Sequence, residues 1–74
     1  MSSPVTPKWA HPATLRFAAD VLEHEARRLR KFASECDRYE CSESAAVYRE
    51  RARMLEGIAR NSLRNRAARQ ERRR

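Results

Sequence analysis

Seventy-four residues carrying a formal net charge of +7 make one small domain at most, and a chain this short buries too little surface for a large core. That excludes a multidomain machine and points to stabilisation by a partner or a second copy. The charge is uneven: residues 1–40 hold seven Lys/Arg against six Asp/Glu and residues 41–74 hold ten against four, so the halves contribute +1 and +6.

The first eleven residues, "MSSPVTPKWAH", contain two of the three prolines and read as an extended N-terminal arm. They lack the basic and apolar regions of a secretion signal, and no apolar run in the chain approaches the ~18 residues of a membrane span. A cytoplasmic protein with no membrane contact is expected. Pro12 suits a first helical position and pushes His11 toward an extended conformation, so helix 1 is predicted over about 12–37. Leu15, Leu22, Leu29 and Cys36 recur every seven residues, as do Ala19, Ala26 and Ala33. This is a seam with Leu at d and Ala at a.

The pattern breaks over a turn at 38–41. Ser42 followed by Glu43 reads as an N-cap with a favourable carboxylate in the first turn, and helix 2 is predicted from residue 42. Its seam repeats the first, with Ala45, Ala52 and Ala59 at a and Tyr48, Leu55 and Ser62 at d. In an antiparallel pair the numbers of facing residues have a constant total. The alanine pairs Ala33/Ala45, Ala26/Ala52 and Ala19/Ala59 all total 78, and the larger pairs Leu29/Tyr48 and Leu22/Leu55 total 77. The expected fold is all-α: an antiparallel two-helix hairpin over 12–62 with an alanine-rich seam and closely approaching axes.

The same register sets Cys36 opposite Cys41. Two cysteines are too few for a disulfide scaffold, and a reducing cytosol with so small a loop between them favours a pair of buried or half-buried free thiols over the sterically conceivable disulfide. They do not form a C-x-x-C pair, and His11 and His24 are distant in sequence, so neither a metal site nor a cofactor is expected.

Beside its seam, helix 1 carries Phe17, Val21, Phe32 and Tyr39, and helix 2 carries Val47, Met54 and Ile58, offset in the same sense. Antiparallel neighbours bring equal offsets to one broad face, which makes these seven residues a candidate protein interface. A homodimer forming a four-helix bundle is the expected cover. A different protein, such as a host protein, would also cover it, and Val5 and Trp9 of the arm would cover part of it. The opposite broad face is polar, with Arg16, Asp20, Glu23, Arg27 and Arg30 from helix 1 and Arg49, Arg53, Glu56, Arg60 and Arg64 from helix 2. Glu23/Arg27 and Glu56/Arg60 there have the favourable i,i+4 order.

Beyond Ser62 the alanine ladder gives out, because Arg66 occupies the next a position and Arg69 the next d. Residues 63–74 are therefore expected to form an arginine-rich helical extension or tail. From Arg60 to Arg74 seven arginines stand against Glu71 alone. Arginine's planar fork suits bidentate recognition of phosphate, although a GC-rich coding genome produces the same richness. Arg60, Arg64, Arg66, Arg69, Arg72, Arg73 and Arg74 are the candidate contacts to RNA or DNA, with Arg49 and Arg53 as an extension. The absence of aromatics in this stretch favours backbone contact over base stacking.

The interleaving of Arg with Asn and Ala over residues 60–74 resembles the arginine-rich RNA-binding peptides of phage antiterminators. Residues 12–62 resemble in architecture the Rop family of plasmid copy-number regulators, RNA-binding homodimers of alanine-packed hairpins. In style, "ATLRFAADVLEHEARRLR" and "AAVYRERARMLEGIAR" are similar to small helical-hairpin proteins of phages and mobile elements in GC-rich bacteria. These resemblances imply a regulator or inhibitor. Catalysis would need convergent groups in a concave pocket. His24 lies between Glu23 and Glu25 away from the seam, and the register gives neither cysteine a base. The expected function is a small non-enzymatic regulator or adaptor that binds nucleic acid or a nucleoprotein through its Arg-rich end. The alternatives are a phage-type inhibitor of a host machine using the apolar face, and a structural subunit of a larger assembly.

Overall fold

The computed structural model of the chain describes residues 10–72. The arm with Val5 and Trp9, and Arg73 and Arg74 at the other end, lie outside the described residues. The described residues are all-α, without strands: α1 spans Pro12–Arg38, α2 Ser42–Gly57, a π-helical segment Ile58–Arg64, and α3 Asn65–Arg72. None of these helices is long and apolar enough to cross a membrane.

His11 precedes α1 with φ −64° and ψ 140°, the extended conformation that Pro12 imposes on its neighbour. Its Nδ1 accepts a hydrogen bond from the Ala13 N–H at 3.3 Å, capping one of the orphan donors of the first turn. At the other end α1 closes in a Schellman motif: the Cys41 N–H donates to the Cys36 carbonyl at 2.7 Å and the Glu40 N–H to the Asp37 carbonyl at 3.2 Å. The left-handed residue that this motif requires is Glu40, at φ 62°. Glycine is the usual occupant because a side chain there costs conformational energy. The cap of α2 falls one residue earlier than Ser42: Cys41 takes the position, without a side-chain cap bond, and Ser42 is the first helical residue with Glu43 in the first turn. Cys36 is half-buried and Cys41 exposed, both free.

The core is made of small residues. Ala19, Ala26, Ala33, Ala45, Ala52, Ala59 and Ala67 are fully buried and Leu15 nearly so, whereas no large side chain among the described residues is fully enclosed. On α1 the buried positions Pro12, Ala19, Ala26 and Ala33 keep a strict spacing of seven. On the returning limb they run Ala45, Ala52, Ala59 and then Ala67, so that the last interval is eight. The extra residue lies in the π segment, whose wider turns absorb one residue while returning the helix to the same face. The seam therefore does not end at Ser62. Leu63, half-buried, takes over the d position that Ser62 leaves exposed, and Ala67 replaces Arg66 at a. Counting straight sevens sets Arg66 in the core; the π segment rotates it off the seam and puts alanine there.

Candidate functional site

The two long edges of the seam differ in chemistry. Along one, ion pairs cross between α1 and the returning limb at four levels: Asp37 with Arg49, Glu56 with Arg30, Glu23 with Arg64, and Glu71 with Arg16. On α1 these residues recur every seven, at 16, 23, 30 and 37. On the other limb they fall at 49, 56, 64 and 71, with the single interval of eight across the π segment. All are e positions, the flank beside a helix–helix seam where charges pair. The paired numbers total 86 up to Glu56 and 87 from Arg64 on, the same one-residue step as in the alanine seam.

The densest of these contacts is Arg64. Its Nη2 donates to Glu23 Oε1 at 2.5 Å and to Asp20 Oδ1 at 2.6 Å, while its Nε donates to Glu23 Oε2 at 3.1 Å. The Arg64 hydrogen bond holds the Glu23 carboxyl below the usual carboxylate range, and the hydrogen bonds that Arg64 donates to Glu23 and Asp20 make the already basic guanidinium harder still to deprotonate. Arg30 does the same to Glu56. Glu23 and Glu56 thus reach across to the facing limb, in addition to the within-helix attractions to Arg27 and Arg60 that their i,i+4 spacing suggests.

This arrangement sorts the candidate arginines. Arg49 and Arg64 are engaged with carboxylates of α1, and Arg53 lies 3.6 Å from Glu50. Arg60 is exposed on the polar face, Arg66 is half-buried beside the seam, and Arg69 and Arg72 are exposed on α3, where Arg69 Nε donates to the Asn65 carbonyl at 3.4 Å. Residues 10–59 hold nine basic and nine acidic side chains, so the body is neutral. The segment 60–74 holds seven arginines and Glu71, for +6, and with Lys8 this accounts for the whole net charge of +7. Among the described residues the excess positive charge therefore lies at one end, on a helix anchored through Ala67 and the Arg16–Glu71 pair.

The other edge is apolar and open. Phe17 is 68% exposed, Tyr39 75% and Met54 59%, and Val21, Phe32, Val47 and Ile58 are exposed between 42% and 50%. Phe32 leans on Tyr48, with ring centroids 6.1 Å apart, and Arg28 lies over the Phe32 ring at 5.9 Å. A shallow recess of about 500 Å³ joins this edge to the basic end, lined by Met54, Gly57, Ile58, Asn61 and Ser62 and then Arg66 and Arg69. Among the described residues no three His, Cys, Asp or Glu side chains cluster in a way that would hold a metal ion.

No family model, curated protein or solved structure matches the chain.

Straight counting of sevens misses Leu63 and Ala67, because an inserted residue looks like the end of a pattern. The signal that recovers them is in the charges: e positions at 49, 56, 64 and 71 complement 37, 30, 23 and 16 only if one residue is skipped.

Proposed function

We propose that the chain is an antiparallel helical hairpin that works as a small non-enzymatic adaptor, binding the phosphate backbone of a nucleic acid through its C-terminal end. The observation that carries this reading is the separation of charge: a neutral body with its acidic residues matched by basic ones, and a +6 segment from Arg60 onward at one end. The contact set is Arg60, Arg66, Arg69 and Arg72, extended by Arg73 and Arg74. Arg49 and Arg64 hold the hairpin together and are lesser contributors. A cationic helix of this kind binds by releasing counterions and reads little sequence. The test is a salt titration with a mixed-sequence DNA duplex and its RNA counterpart. Deleting residues 65–74 removes five arginines and should lower the slope of log affinity against log salt by up to ~3.5–4.5. An unchanged slope and affinity would overturn the reading.

The exposed apolar edge supports a second element. Its seven large side chains present on the order of 700 Å² per copy, close to the ~800 Å² that each partner contributes to a stable interface. A second copy is the occupant that fits, since the charged residues among these side chains, Glu25, Arg28, Glu35 and Arg51, are balanced in sign. Two hairpins then bury the large side chains that one leaves in water, as a four-helix bundle. Sedimentation at micromolar concentration should show a dimer, and Phe32→Glu with Met54→Lys should give a helical monomer. A rival reading, an inhibitor that seats this edge on another protein, predicts a wild-type monomer.

A further inference from the structure

The apolar edge has a dyad written into it. On α1 its central stripe reads Val21, Glu25, Arg28, Phe32, each residue three or four after the last, so that all four share one face. Reversed upon itself about a point between Ala26 and Arg27, the stripe sets Val21 against Phe32 and Glu25 against Arg28. Acid meets base and apolar meets apolar, twice over. On α2 the corresponding stripe is Val47, Arg51, Met54, Ile58; reversed about a point between Ala52 and Arg53, it sets Val47 against Ile58 and the aliphatic stem of Arg51 against Met54. In the register set by the alanine seam, Ala26 stands opposite Ala52. The two reversal points therefore lie at the same level of the molecule to within one residue, about 1.5 Å.

We propose that the second copy packs through this dyad, α1 on α1 and α2 on α2, with the two hairpins pointing in opposite directions. The inference rests on the dimeric reading above and adds its polarity. The other two-fold packing of the same edge lays α1 on α2 with the hairpins pointing the same way. It sets Arg28 opposite Arg51 in both halves and brings the two +6 ends side by side. Like charges across a closing interface oppose association, whereas the reversed packing sets Arg28, which already pairs with Glu25 of its own helix at 3.0 Å, against the second copy's Glu25 as well. The dimer is then a rod with a cationic helix at each pole and a neutral middle, and it holds two separate nucleic-acid segments at once.

Polarity is read directly by a distance between spin labels. With Cys36 and Cys41 changed to Ser, single labels are placed at Asn65→Cys near the basic end and, in a second variant, at Glu40→Cys in the turn. At 1.5 Å per residue from the dyad, the opposed dimer separates like labels by about 35–40 Å at both sites. Labels at about 25 Å or less at both sites, in a sample that sediments as a dimer, would overturn the polarity alone. A monomer in sedimentation would overturn the dimer itself. A bead-immobilised DNA duplex should retain a second, fluorescent duplex in the presence of the full chain and not with the 65–74 deletion. Retention of neither, with long label distances, places the failure in nucleic-acid binding and leaves the polarity standing.

Discussion

Up to Ala59 and from Leu63 onward the chain after the turn pairs with α1 by the same rules and in a different phase. In the first region Ala45, Ala52 and Ala59 match the sevenfold repeat of α1 residue for residue. In the second, Ala67, Leu63, Arg64 and Glu71 match it only after a skip of one. The regions also differ in composition, since the first has balanced charge and the second is dominated by arginine. The lesson lies in which preference yields. A π segment of seven residues is a rare and poorly packed conformation, yet it keeps alanine rather than arginine against α1. Continuing the α-helix would set Arg66 at the close contact and leave Glu23 and Arg16 without their partners. Burying an arginine at an alanine seam costs far more than a wide turn.

The strongest way to break this comparison is to overpack both regions. Ala52→Leu should destabilise by ~1–3 kcal/mol, because a seam this close has no room for a larger side chain. Ala67→Leu should cost a similar amount in chemical denaturation. Near-neutral behaviour at residue 67 alone would make the end of the chain a solvated tail. Shortening the π segment sharpens the same point. Deleting Ser62 restores an interval of seven between the alanines and should leave the melting temperature equal or higher, by ~4–8 °C for each kcal/mol gained. Deleting Arg53 instead shifts Leu55, Glu56 and Ala59 out of register and should lower it.

A smaller effect comes from two residues whose places look exchanged. Gly57 sits in ordinary helical geometry, φ −63° and ψ −45°, with nothing within 4 Å of where a Cβ would stand. Glu40, by contrast, occupies the left-handed turn. Gly57→Ala and Glu40→Gly should each stabilise by about 0.5–1 kcal/mol in thermal or chemical unfolding. The smallest effect is in the ion-pair edge. Glu23 and Glu56 titrate below the usual glutamate value of 4.5 in the folded chain, so their contribution is complete above that value and is lost as pH falls through their lowered folded values. The melting-temperature difference between wild type and Glu23→Gln/Glu56→Gln should be constant above pH 5 and shrink below 4.5. A difference that grows in acid would contradict the pairing.

Much of this organisation was legible in the residues alone. One glycine, breakers confined to the first twelve positions and two sevenfold ladders meeting in one register specify helices, their faces and the turn between them, because periodicity and propensity act locally. Pro12 with His11 places the start of α1 for the same reason. The seven exposed apolar residues follow from the same angular arithmetic. The phase after Ala59 is not local: whether an apparent break at Ser62 ends the core or skips a residue depends on what α1 presents opposite, at Leu15, Arg16 and Glu23. Nor does sequence say which arginines are engaged, since Arg49, Arg60 and Arg64 share one face and only the facing carboxylates tell them apart. Sequence by itself determined the helices and the segregation of charge; the tertiary structure decided the register of residues 63–72 and the partners of the arginines, because those are set by contact energies between residues far apart in the chain.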